Sequence, residues 1–284
     1  MTLQQVADHL GLHYMTVYRY VRTGRLAARR TGGRWSVDRV DVERLRRPGV
    51  IGSGPAASAT AGPGRPDRAA AASRLERRLL AGDEPGAWLV VQAVVAAGAS
   101  AGDVLVDVLA PALAGVGDRW AAGTATVGDE HRATQVATRL VSRLGAQFAR
   151  PGRRSGTVVV GTPPGDRHTL PVAIAADLLR GAGLAVVELG ADVPAGMFAA
   201  EAAALAGQPA VVAVGVTTAG LRDRVVDVVA AVRAGAPGVP IVVGGAGIEP
   251  DDVAALGADA ASGADARTLI DQVVGLLGAR PAAG

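Results

Sequence analysis

Two short stretches concentrate the side chains of this chain that can do chemistry. Trp120 is followed after nine residues by the pair Glu130-His131, and Asp166-Arg167-His168 stands in the run GDRHTLP. A carboxylate beside an imidazole can accept one ring N–H and leave the other nitrogen free for a metal. His131 and His168 are the only histidines beyond the first 13 residues, so the two stretches suggest a cofactor held from two sides. D-x-H by itself also fits a structural or a general catalytic histidine, and its place at the carboxyl end of a predicted strand strengthens the ligand reading. Cysteine is absent, which excludes disulfides, thiolate metal sites and cysteine nucleophiles. A transition metal must then be held by His or carboxylate, or arrive inside a cofactor. No G-x-G-x-x-G follows the first predicted strand and no P-loop is present, which disfavours ordinary nucleotide cofactors.

The elements that must position these residues read clearly. From Thr157 the apolar runs TVVVG, LAVVELG, AVVAVGV, PIVVGG and the weaker ADAASG alternate with helical stretches. Continuous apolar strands between amphipathic helices predict a five-stranded parallel sheet covered on both faces, in a flavodoxin-like or Rossmann-like layout. Ligands of such sheets sit beyond the carboxyl ends of the strands. The loops of interest are therefore Thr162 to Pro171, Gly190 to Pro194, Thr217 to Gly220 and Gly244 to Gly247. Upstream, helical stretches at about 69–82, 85–98, 101–119 and 127–149 with short Gly-containing breaks predict a four-helix bundle. Pro111 should bend the third, and the Trp120 stretch lies where the third ends and the fourth begins.

The amino-terminal part has a different character. All 29 basic residues are arginine; residues 1–78 hold 15 of them against 6 acidic residues, and residues 79–284 hold 14 against 20. A basic head on an acidic body points to a polyanionic partner for the head. Thr2-Leu3-Gln4-Gln5 is a capping-box pattern that starts a helix to about Leu10. After Gly11-Leu12-His13, a second helix from Tyr14 to Thr23 places Val17 and Val21 inward. Thr16, Tyr18, Arg19 and Arg22 then fall on or beside its outer face, within reach of a major groove. Leu26 to Arg30 and Arg34 to Val37 flank Gly32-Gly33, a hairpin turn that presents Arg29, Arg30 and Arg34 as a basic wing. Asp38 caps a third helix, Val40 to Arg46. This run resembles the small winged-helix DNA-binding domains of the MerR and excisionase group, apart from His13, where that group usually has Ser or Thr. Pro48 to about Pro66 is rich in Gly, Ala, Ser and Pro and reads as a tether.

In order and spacing, GDRHTLP, ELGADVP, GVTTAG and VVGGAG resemble the cobalamin-binding domain of methionine synthase, corrinoid proteins and some mutases. The resemblance implies that His168 ligates cobalt from below, with Asp166 tuning its basicity. It further implies that Thr217 and the pair Gly244-Gly245 meet the displaced nucleotide tail of the cofactor. Pro171 departs from the motif's Gly. With the winged helix, the helical cap and W-x9-EH, the whole chain resembles the CarH-type, B12-dependent transcriptional photoreceptors. That resemblance implies adenosylcobalamin between cap and sheet, with Trp120, Glu130 and His131 around the adenosyl group. Ala121 stands where the well-known photoreceptors carry a second His that binds cobalt after light has acted, so the resemblance implies a different light product here.

The expected organisation is therefore a winged helix-turn-helix domain at 1–47, a linker at 48–68, a helical cap at 69–150 and a cobalamin-binding sheet domain at 151–284. The expected function is that of a regulator without enzyme activity, a light-responsive repressor bound to a double-stranded DNA operator as a dimer or tetramer under control of adenosylcobalamin. The alternatives are a light-independent cobalamin sensor and a corrinoid carrier for methyl transfer. No apolar run reaches the ~18 residues of a membrane span, and MTLQQVADHL lacks the regions of a signal peptide. The cytoplasm is the expected address.

Overall fold

A computed structural model of the chain describes residues 1–10, 21, 26, 28–31, 34–46, 67–148, 152–248 and 253–278. The chain divides into two compact units, Met1–Pro66 with Ala96–Gly98, and Asp67–Val95 with Ala99–Gly284.

In the first unit, helix α1 (Leu3–Leu10) is followed by strands β1 (Arg29–Thr31) and β2 (Arg34–Ser36) and by helix α2 (Arg39–Arg46). The capping box forms: Gln5 N–H donates to Thr2 Oγ1 at 3.3 Å, and Thr2 N–H donates to Gln5 Oε1 at 2.9 Å. Each contact satisfies an amide that the first helical turn cannot pair internally. β1 and β2 are antiparallel with Thr31 opposite Arg34, while the turn expected at Gly32-Gly33 lies outside the described residues. Leu3, Val6, Leu26, Val37 and Val42 form a small core beneath them. Thr16, Tyr18, Arg19 and Arg22 lie outside the described residues, as does the tether expected at Pro48 to Pro66.

The second unit begins with four helical stretches. They are α3 (Arg68–Leu80), α4 (Glu84–Ala96), the pair α5 (Ala101–Val104) and α6 (Ala110–Ala121), and α7 (Val127–Gly145), which ends in a 3-10 turn, Ala146–Phe148. Between α5 and α6 the π turn Leu105–Leu109 keeps the helix running. Pro111 has no N–H to give to the carbonyl four residues back. The ladder instead widens just before it, with Ala110 N–H bonded to the carbonyl of Leu105. Leu75, Leu79, Val91, Leu105, Leu109, Leu140 and Leu144 are buried in one core.

The sheet layer alternates as expected: β3 (Thr157–Gly161), α8 (Thr169–Gly181), β4 (Ala185–Gly190), α9 (Ala195–Ala204), β5 (Ala210–Gly215), α10 (Arg222–Gly235), β6 (Ile241–Gly244), α11 (Val253–Leu256), β7 (Ala260–Ala261) and α12 (Ala266–Gly278). The strand order is β4-β3-β5-β6-β7 and every pairing is parallel. Successive valines face opposite sides. Val159, Val212, Val214 and Val243 enter one core, and Val158, Val160, Val211 and Val242 the other. Leu170, Ile174 and Leu178 of α8 belong to the helical core, so the bundle is seated on the sheet layer through α8. The chain leaves β3 toward β4 on one side and returns to β5 on the other, and at such a switch point the loops separate into a crevice. The loops after β3 and β5 are the ones that carry Asp166, His168 and Thr217.

Candidate functional site

Asp166 organises the site. Its side chain is fully buried, yet it meets five donors. Oδ1 lies 2.7 Å from His168 Nδ1 and accepts from the His168 amide at 3.2 Å and from Thr218 Oγ1 at 3.3 Å. Oδ2 accepts from the amides of Thr217 at 2.5 Å and Thr218 at 3.2 Å. Burial pushes the carboxyl group's pKa up, but the amides of Thr217, Thr218 and His168 and the His168 ring together hold it below the usual aspartate value. An ionised carboxylate only accepts, so Nδ1 of His168 must carry the proton, and the Nε2 lone pair is left for a ligand. The His168 side chain is 54% exposed, which makes that nitrogen accessible.

The helical layer supplies the opposite wall. Thr126 and Asp129 form a capping box: Asp129 N–H donates to Thr126 Oγ1 at 3.1 Å and Thr126 N–H donates to Asp129 Oδ2 at 2.8 Å. That box fixes where α7 starts and so places Glu130 and His131 just inside it. Glu130 Oε2 lies 2.8 Å from His131 Nδ1, and Glu130 Oε1 accepts from Thr134 Oγ1 at 2.8 Å. Glu130, His131, Thr134 and Gln135 line one side of a cleft of about 550 Å³, and Arg167 to Pro171 line the other. The two histidine stretches thus share one cavity. Trp120 is not among the lining residues; it stands 54% exposed in the last turn of α6.

Thr217, Gly244 and Gly245 come together along a narrower slot of about 110 Å³ that also includes Ser262 and Leu269. At Gly245, φ is +110° and an added Cβ would sit 2.2 Å from the carbonyl oxygen of Val216. At Gly244 it would sit 2.0 Å from Ser262 Oγ. Glycine is required there for the loops after β5, β6 and β7 to approach so closely.

The residues that sequence reasoning passed over are Thr218, whose hydroxyl lies 3.4 Å from His168 Nδ1, and the fully buried Thr162, whose hydroxyl donates to the Asp166 carbonyl at 2.6 Å. Adjacency to Thr217 was the available signal for Thr218. In the first unit Arg29 is exposed on β1, and Arg30 and Arg34 occupy the hairpin. Among the described residues, no helix is long and apolar enough to cross a membrane.

Comparison with known proteins bears on all three segments. Residues 1–48 match the model of a helix-turn-helix domain, and residues 71–144 and 156–271 match two models each described as a B12 binding domain. Over 142 residues the chain is 37% identical to the HTH-type transcriptional repressor CarH of Myxococcus xanthus. That match takes in 49% of this chain and 46% of the repressor, so the chain spans about half the length of this curated relative. The structure of the Methanosarcina barkeri monomethylamine corrinoid protein superposes with a TM-score of 0.63 at 19% identity, covering 74% of this chain and 99% of that one. This last likeness is one of fold. Together the matches give a helix-turn-helix segment followed by two B12 binding segments, with similarity to the CarH repressor over about half of the chain.

Proposed function

We propose that this chain is a repressor whose hold on a double-stranded DNA operator is set by adenosylcobalamin bound between α7 and the loops after β3 and β5. The observation that carries the reading is the Asp166-His168 pair, a buried carboxylate that fixes the imidazole with Nε2 available at the cleft shared with Glu130 and His131. The donor set fits cobalt, for which a neutral imidazole oriented by a carboxylate is a suitable ligand. When bound, the cofactor would supply a cobalt centre able to take a nitrogen ligand and a light-sensitive cobalt–carbon bond. His168 would hold cobalt, with Asp166 setting the ring's orientation. Glu130 and His131 would contact the adenosyl group from the cap, and the exposed indole of Trp120 has surface to give to it. Thr217, Gly244 and Gly245 would border the nucleotide tail. Binding that joins cap to sheet would favour an assembled dimer or tetramer, and several basic heads on one operator bind far more tightly than one. Thr16, Tyr18, Arg19, Arg22, Arg29, Arg30 and Arg34 are the residues assigned to DNA. No enzymatic step is assigned to the chain.

A gel shift with adenosylcobalamin in the dark and after illumination, with methylcobalamin as control, tests this. The expected result is an operator complex that needs adenosylcobalamin and disappears on illumination. A complex that needs the cofactor but survives light would replace this reading with a light-independent cobalamin sensor, which Ala121 favours because its side chain has no ligand atom. A complex indifferent to cobalamin would sink both.

A further inference from the structure

The loop that carries Asp166 and His168 is held from outside by Asp192, in the loop after β4. Asp192 has a φ of 58° and is the one non-glycine residue in the left-handed region among the described residues. Side chains with a Cβ rarely adopt that conformation, Asp and Asn tolerate it best, and it persists where surrounding contacts demand it. Here the contacts all point at one target. Asp192 N–H reaches the carbonyl of Asp166 at 2.8 Å and Thr162 Oγ1 at 3.0 Å. Its Oδ1 accepts from the amide of Gly165 at 2.7 Å, at the point where the chain, itself at a φ of +92°, turns into Asp166. The Arg167 guanidinium lies 3.8 Å from Oδ2. Asp192 therefore touches residues 162, 165 and 166 with backbone and side chain together, from a left-handed conformation.

We infer that Asp192 is a positioning residue for His168: its carboxylate, through the Gly165 amide, fixes the turn that presents the imidazole to cobalt. This rests on the reading of His168 as the lower ligand. The competing account is that Asp192 only shapes its own tight turn. Glycine separates the two, because Asp192→Gly keeps the left-handed backbone and removes the carboxylate, whereas Asp192→Asn keeps an acceptor oxygen.

The test uses the full chain, uniformly labelled with nitrogen-15 and loaded with unlabelled cob(II)alamin. In electron paramagnetic resonance, an axial protein nitrogen then splits the cobalt signal into doublets and the cofactor's own base splits it into triplets. Wild type and Asp192→Asn should give doublets. Asp192→Gly should give mainly triplets and bind cobalamin about tenfold more weakly, the lower end of what losing a direct outer partner of a metal-ligating histidine costs. Doublets and wild-type affinity in Asp192→Gly would overturn the inference while leaving His168 as ligand. Triplets in wild type would overturn the ligand reading itself, and this inference with it. A measurement that needs no variant is hydrogen exchange at Gly165 in the cobalamin-free protein. Slow exchange is expected from the bond to Asp192, and exchange at the rate of an unstructured chain would refute it.

Discussion

Asp166 stays ionised because donors, not solvent, surround it, and the same principle of close backbone approach explains the glycines beside it. The carboxylate draws the amides of Thr217 and Thr218 across the switch point, which brings the loop after β5 against the loop after β3. The loop after β6 must then pass directly over Val216. Gly245 is the residue that permits this, on two counts: its φ of +110° and the 2.2 Å separation that a Cβ would have from the Val216 carbonyl. Gly245→Ala is expected to destabilise the protein by about 1–3 kcal/mol, the cost of a strained backbone position, and to narrow access to the slot. The control is Gly275→Ala within α12, where a Cβ meets nothing within 4 Å and where alanine should stabilise by about 0.5–1 kcal/mol through helix propensity. Urea unfolding midpoints decide both. Equal midpoints for wild type and Gly245→Ala would mean that the loops do not approach as described.

At the scale of elements, two sets of contacts among the described residues stand out in fastening the helical layer to the sheet layer. One is the apolar seat on α8. The other is a charged clasp, in which Arg267 at the start of α12 donates to Asp107 through Nη1 at 2.8 Å and Nη2 at 3.0 Å and lies 3.4 Å from Asp103. Arg68 of α3 pairs with the same two carboxylates. The hydrogen bond from Arg267 is the main cause that holds the Asp107 carboxyl below its usual value, outweighing the opposite effect of burial. A depressed carboxyl pKa contributes stability that is present above the ordinary aspartate range and is lost as the pH falls through the folded value. Half of the Arg267 side chain is exposed, so solvent screens the pair and Asp107→Asn should cost about 1 kcal/mol or less at pH 7. Below the folded value of Asp107 the variant and the wild type should unfold alike. A difference that is the same at pH 3 and pH 7 would show that packing, not charge, accounts for it. Much of this level was legible in the sequence. The four valine-rich runs and the weaker ADAASG appear as five parallel strands, and the helical stretch expected at 127–149 appears as Val127–Gly145 with its 3-10 turn, begun by a Thr-x-x-Asp box. The π turn ahead of Pro111 was not legible, because a proline in a helix can be answered by a bend or by a wider turn, and packing chooses. Nor were the contacts of Thr218 and Asp192 legible. They join positions 52 and 27 residues apart, and only the strand order β4-β3-β5 makes those loops neighbours.

For the whole molecule the governing quantity is the separation of charge. The net charge of +3 conceals 15 arginines against 6 acidic residues in residues 1–78 and the reverse imbalance beyond. Under the proposed reading the partner of that basic segment, which is similar to a helix-turn-helix domain over residues 1–48, is duplex DNA, whose phosphates release counterions as arginines replace them. Each arginine that neutralises a phosphate then adds about one unit to the slope of log affinity against log salt concentration. Arg29 is exposed on β1 in the hairpin, a position from which a phosphate contact needs no rearrangement of the core formed by Leu3, Val6, Leu26, Val37 and Val42. Arg29→Ala should therefore lower the slope by about one unit per head and weaken binding evenly across operator sequences, without changing the unfolding midpoint. Under the proposed dimer or tetramer each head would add its own contribution, and the loss of slope should then scale with the number of heads engaged. Measuring it with and without adenosylcobalamin counts those heads. A slope that does not change in either condition would place Arg29 away from the phosphates and leave the rest of the basic segment to carry the contact.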